Sequence, residues 1–165
     1  MRKLLVFMLL GPLGCGEGKR PAPAAEAGTG GTPGAAPEIS RTTFAPSLGV
    51  DLTAMRQTPR RVWIRDLRIG TGAQVGAGAQ VAIHYVGALP DGKQFDANGP
   101  AEQPFVFRIN AGEVVPGFDE GVLGMRVGGR RQVIIPPALG YGAQGNGPVP
   151  GNAILVFTID LVRVQ

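Results

Sequence analysis

The sequence predicts an α+β domain in which short antiparallel strands surround a single helix. Three observations carry that class. Apolar side chains alternate along several short runs, most clearly at Leu155, Phe157, Ile159 and Leu161, with Thr158 and Asp160 opposite. Turn residues punctuate those runs, as at Pro90-Asp91-Gly92 and Pro136-Pro137. Helical spacing is credible once, at Phe118, Val122 and Met125.

Taken in order, Val62 to Ile69 alternates weakly and predicts a first strand, and Val81, Ile83 and Tyr85 share one face of a second that ends near Leu89. Pro90-Asp91-Gly92 turns the chain, because proline presets its dihedral and glycine tolerates a positive one, so Gln94 to Asp96 returns antiparallel. Phe105, Phe107 and Ile109 face one way on the next strand, with Val106 and Arg108 opposite. The helix is predicted from about Pro116 to Gly124, with Asp119 and Glu120 suiting the positive end of its dipole. So short a helix, with Gly121 inside it, must dock its Phe118 face on the sheet to persist. Arg130 to Ile135 is a strand stopped by two prolines, and the final alternating run is a core strand. Eight of the ten aromatic residues fall between Trp63 and Phe157, enough for one small core.

Before this region the character differs. Arg2 and Lys3, an uncharged run from Leu4 to Leu10, and small residues up to Cys15 form an export signal too short to span a bilayer. The only cysteine stands where the signal ends, which resembles a bacterial lipoprotein signal, although Pro12 occupies a place usually held by leucine. The alternative is an ordinary signal with a free thiol. Residues 16 to 47 hold six glycines, five prolines and seven alanines, with Ile39 and Phe44 as the large apolar side chains, and read as a flexible tether. Leu48, Val50, Leu52 and Met55 suggest a short amphipathic turn or helix at the domain edge. The expected organisation is a signal over 1 to 14, an anchor and linker over 15 to 58, and a folded domain over 59 to 165.

Composition removes several chemistries. One cysteine and one histidine leave no intrachain disulfide, no Cys/His zinc site and no cysteine redox pair. His84 points opposite to Tyr85 on its strand and reads as a solvent-side or satisfied histidine rather than a catalytic one. The net charge of +4 and pI near 9.8 invite a nucleic-acid reading, but the charge divides evenly between the two halves and no basic run exceeds two residues. The run Gly140 to Gly147 contains no lysine, so it reads as a flexible flap and not a phosphate loop.

The ordered blocks Val81-Ala82-Ile83-His84-Tyr85-Val86-Gly87, Asp91-Gly92-Lys93-Gln94-Phe95-Asp96, Pro104-Phe105-Val106-Phe107, Glu113 to Gly121, Met125-Arg126-Val127-Gly128, Tyr141-Gly142-Ala143 and Ala153 to Phe157 resemble the FKBP family of peptidyl-prolyl cis-trans isomerases. The resemblance runs from about residue 60 to 165 in one register. It implies a five- or six-stranded antiparallel sheet wrapped around one short helix, with a prolyl pocket between them and no cofactor or metal. Carried over, the pocket walls are Tyr85, Phe95, Phe105, Val114, Val115, Tyr141 and Phe157, with Phe118 as floor and Val149 closing one side. Asp96, the Val115 backbone N–H and the Tyr141 hydroxyl would supply polar contacts. Phe107 is kept as core. The implied partners are proline-containing polypeptides and macrolide ligands, with the membrane reached through the lipid anchor and no nucleic acid. The lipoprotein-like signal, with Gly16 and not aspartate after Cys15, implies a periplasm-facing or surface position in the cell envelope, at the outer membrane if the organism has one.

Each residue also has a plainer reading. The phenylalanines at strand or helix spacing could be ordinary core, the tyrosines could be core residues with satisfied hydroxyls, and Asp96 could cap its loop. Phe118 stands where many family members carry tryptophan, Gln144 to Pro150 is shorter than in familiar members, and Ala97 to Gln103 lacks the arginine some relatives place near Asp96. The Tyr85 hydroxyl is the expected partner of Asp96. Binding without turnover, or a purely structural lipoprotein, are the competing functions.

Overall fold

The computed structural model describes residues 38–165. The expected signal, Cys15 and the linker up to residue 37 lie outside the described residues. One antiparallel sheet holds β1 (Arg56–Gln57), β2 (Trp63–Arg68), β3 (Gln80–Ala88), β4 (Gln94–Asn98), β5 (Phe105–Arg108), β6 (Arg130–Ile135) and β7 (Leu155–Val164). The strand order is β1-β2-β6-β7-β3-β4, with β5 also pairing β3. Nine residues make β3 long enough to serve two partners on one edge. Gln80 to Ile83 pair with β5 and Tyr85 to Ala88 with β4, while β7 runs along the other edge.

The one α-helix among the described residues, α1 (Pro116–Val122), ends slightly earlier than its spacing predicts, and Gly124 turns left-handed at φ 74°. Gly117, Phe118, Asp119, Gly121 and Val122 are all buried, so the helix is held by packing rather than by its own propensity. Gly121 proves useful where the sequence suggested weakness. A Cβ there would overlap Val133, and one at Gly117 would overlap Ile135, so these glycines let the helix backbone rest directly on β6.

Arg131 fixes the other end of the helix. Its side chain is 3% exposed, yet its guanidinium reaches Asp66 through Nε at 2.6 Å and Nη2 at 3.1 Å, and donates from Nη1 to the carbonyls of Gly121 and Leu123. These carbonyls lie at the helix C-terminus, where a cation meets both unpaired acceptors and the negative end of the dipole.

The two faces of the sheet carry separate cores. Val133, Ile135, Leu155, Phe157 and Ile159 pack inward on α1, whereas Ile134 and Val156 point outward, as a period of two requires. The outward residues are covered by Ile39 and Met55, with Phe44, Leu48, Val50, Leu52 and Trp63 packed around them. This corrects the expected boundary. Residues 38–58 are part of the fold, held as 3-10 turns at Ile39–Arg41, Pro46–Leu48 and Leu52–Ala54 and bonded to the sheet by Gln132 Nε2 donating to the Leu48 carbonyl at 2.7 Å. Leu48, Val50, Leu52 and Met55 belong to the short edge turns that the sequence suggests, whereas Ile39 and Phe44 stand singly in a stretch whose glycine, proline and alanine content reads as tether.

Candidate functional site

The inward face of β3 sets Tyr85 at the centre of the aromatic core. Its ring lies edge-on to Phe105 at 5.9 Å, Phe118 at 6.0 Å and Phe157 at 6.3 Å, and Phe118 meets Phe157 at 4.9 Å. Phe95 packs on Phe157 at 5.6 Å from β4. Gly87 makes that contact possible, because its register partner is Phe157 and a Cβ at Gly87 would strike the Phe157 and Phe95 rings. The aromatic wall therefore depends on an absent side chain.

An apolar cleft of about 500 Å³ opens beside this core, within the range of small-ligand sites. Val114, Val115 and Pro116 form one wall, at the entry to α1, and Gly140, Tyr141, Gln144 and Gly145 the other. Of the residues expected at the site, Val114, Val115 and Tyr141 line this opening. Phe95, Phe105 and Asp96 are half-buried, whereas Tyr85, Phe118, Val149 and Phe157 are buried. Phe118, expected as the floor, is fully buried against Tyr85, Phe107 and Phe157 and does not line the cleft. Phe107 is core, as expected, at 1% exposure.

The polar contacts lie near Tyr141, whose hydroxyl feels the Asp96 charge. Tyr85 Oη donates to Asp96 Oδ2 at 2.8 Å, the pairing the sequence suggested, and the Ala97 N–H holds Oδ1 at 2.9 Å. The Val115 carbonyl accepts from Phe118 and Asp119, while the Val115 N–H has no acceptor among the described residues. Burial pushes the Tyr141 hydroxyl up to about 12, helped by the Asp96 charge. Tyr85 is raised too, by burial first and then by its hydrogen bond to Asp96. Both hydroxyls are therefore neutral donors at physiological pH.

The flap is braced rather than loose. Gly140 and Gly142 N–H groups donate to the Pro137 carbonyl, Gly145 N–H to Tyr141, and Asn146 and Val149 exchange two backbone bonds at 2.9 and 3.0 Å. His84 is satisfied, with Nδ1 3.1 Å from Asn98 Oδ1. Asn98 itself escaped the sequence reading. Fully buried, it donates to Glu102 and the Gln103 carbonyl and accepts from the Phe105 N–H, tying β4 to β5 and so Asp96 to Phe105. One asparagine in a polar loop gives no such signal. Trp63 lies with the outer cluster and not in the aromatic core, so its emission does not report on this cleft directly.

A sheet closed on one short helix, with a ligand-sized apolar cleft at the helix entry and two neutral tyrosine hydroxyls beside it, defines a small α+β domain built for noncovalent recognition. The chain belongs to the FKBP-type peptidyl-prolyl cis-trans isomerase family, whose model matches residues 72–162. FK506-binding protein 3 of Candida albicans is 49% identical over 100 residues, covering 61% of this chain and 23% of that protein. Peptidyl-prolyl cis-trans isomerase FKBP2 of Mus musculus is 38% identical over 126 residues, covering 72% of this chain and 90% of its own length. The crystal structure of a peptidyl-prolyl cis-trans isomerase from Pseudomonas syringae pv. tomato superposes with a TM-score of 0.61 at 33% identity, covering 68% of this chain and 81% of that one. The chain spans about a quarter of the length of the fungal FK506-binding proteins it matches.

Proposed function

We propose that the protein is an exported peptidyl-prolyl cis-trans isomerase that accelerates rotation of X-Pro bonds in folding proteins of the cell envelope. The observation that carries the reading is the apolar cleft between Val114-Val115 and Tyr141, with the unpaired Val115 N–H at its wall and the Tyr85–Asp96 pair beside it. An X-Pro bond turns slowly because its partial double bond must be lost, a barrier of about 18 to 20 kcal/mol. Twisting the amide takes charge off the carbonyl oxygen, so a dry apolar cleft favours the twisted amide over the planar one. Walls that fit the proline ring in the twisted geometry bind the transition state more tightly than the substrate. In this scheme Tyr141, Val114 and Val115 meet the client chain, the half-buried Phe95, Asp96 and Phe105 stand beside them, and the buried Tyr85, Phe118, Val149 and Phe157 fix the shape of the walls from behind. Tyr141 and the Val115 N–H anchor carbonyls of the client chain.

A protease-coupled assay on an X-Pro tetrapeptide tests this directly. Acceleration is expected, and Tyr141→Phe and Asp96→Ala should each lower kcat/KM by about three- to tenfold, the worth of one hydrogen bond. Absence of acceleration would sink the catalytic reading, and ligand binding with a flat isomerisation rate would replace it with a binding module. Macrolides that enter the same cleft should raise Tm. Lipid attachment at Cys15, after cleavage of residues 1 to 14, would place the domain at a membrane surface of the envelope; an unmodified Cys15 in mass spectra of the mature protein would remove the anchor.

A further inference from the structure

We propose that a second cleft, lined by the Pro137–Leu139 turn, holds the flank of the client chain and captures an acidic side chain through Arg61. The inference rests on the prolyl cleft proposed above. Leu139 lines the second cleft and Gly140 the first, so the two clefts meet at one turn. With adjacent α-carbons about 3.8 Å apart, an extended polypeptide reaches from one to the other within a few residues. The second cleft measures about 590 Å³, at least as large as the first.

Its chemistry is mixed in a way that suits a peptide. Trp63, Pro136, Pro137 and Leu139 offer apolar surface, and Arg60 and Arg61 line the same cleft. Arg60 is already paired with Glu120 at 3.5 Å, and Glu38, the acidic residue of the lining, is paired with Arg41 at 3.3 Å. Arg61 has no ionic partner among the described residues, so the cleft keeps one uncompensated positive charge. A guanidinium in that position favours a carboxylate, which it grips through two parallel hydrogen bonds.

The backbone sharpens the case. Arg61 sits at φ 68°, in the left-handed region, because the turn from β1 to β2 demands it: its N–H donates to the Thr58 carbonyl at 2.9 Å, and Thr58 N–H donates to Val62 at 2.8 Å. Glycine or asparagine meets that demand with less strain. The turn thus explains the conformation and not the arginine, whose side chain points instead to a role in the cleft.

Trp63 is the only tryptophan in the chain, so its emission reports this cleft. Twelve-residue peptides carrying one proline and one glutamate, about three to six residues apart, are titrated into the full chain beside counterparts with glutamine in place of glutamate. The glutamate peptides should shift Trp63 emission and bind at least fivefold tighter than the glutamine peptides at low salt. High salt and Arg61→Gly should each erase that ratio, and Arg61→Glu should invert it. Arg61→Gly relieves the left-handed strain, so a melting temperature equal to or above that of the parent shows that lost preference is not lost folding. Equal affinities, a preference that survives Arg61→Gly, or an emission change that follows protein concentration without peptide, as a second copy in the cleft would produce, overturn the proposal. Failure of the tetrapeptide assay overturns the prolyl site instead, and leaves the Trp63 titration to decide the second cleft separately.

Discussion

Tyr85 and Tyr141 show how single residues here couple the site to stability. Both hydroxyls hold their protons more tightly in the fold than the ordinary value near 10, Tyr141 up to about 12, with burial as the leading cause in each. A raised acid pKa means that the folded form keeps the proton, so this stability is complete below about pH 10 and is lost as pH climbs through and beyond that value. Urea unfolding between pH 8 and pH 11 should show a loss of about 1 kcal/mol from Tyr141, allowing for solvent screening of a half-buried ring. Tyr141→Phe should flatten that part of the curve, and a variant that still falls as steeply would assign the loss elsewhere. At this scale the sequence was readable where a residue bears a recognisable block, as with the Tyr85–Asp96 pair. It was silent on Gly87 and Asn98, because a missing side chain under two rings and a buried amide joining two strands have no local pattern.

Among the elements, α1 was legible from its apolar spacing and its opening proline, but what anchors it was not. Its C-terminal carbonyls are met by Arg131 on β6, which is itself held by Asp66 on β2, four strands away in sequence and adjacent only in the folded sheet. Such a three-way joint cannot be read from spacing. Arg131→Met should keep most of the volume while leaving Asp66 and two helix carbonyls short of partners, and should cost about 3 kcal/mol by urea denaturation. Arg131→Lys should recover only part, since one ammonium cannot fork to the carboxylate and the helix end together. Because Val114 and Val115 lead directly into α1, the Met variant should also raise KM for a prolyl peptide. Unchanged stability in Arg131→Met would show that the joint is decorative.

For the whole molecule, strand alternation and turn chemistry were enough to place the sheet, and the domain edge was where they failed. The low-complexity composition of residues 16 to 47 masked the part of that segment, from Ile39 onward, that covers the outer face of β6 and β7. Truncation to residues 59–165 should therefore expose Ile134, Ile154, Val156 and Trp63 and remove the Gln132 bond to Leu48. The expected loss is at least about 3 kcal/mol in urea unfolding relative to 38–165, using the transfer value of a few buried side chains with allowance for a compact unfolded state. Equal stability of the two lengths would return the boundary to Pro59.

The position of β7 also sets a timetable. As the last strand in sequence it lies in the middle of the sheet, between β6 and β3, so neither half has its neighbour until residues 155–164 have left the ribosome. Nonlocal pairing of this kind closes slowly. A chain halted before residue 155 would hold two unjoined half-sheets, each with an open edge waiting for the same strand.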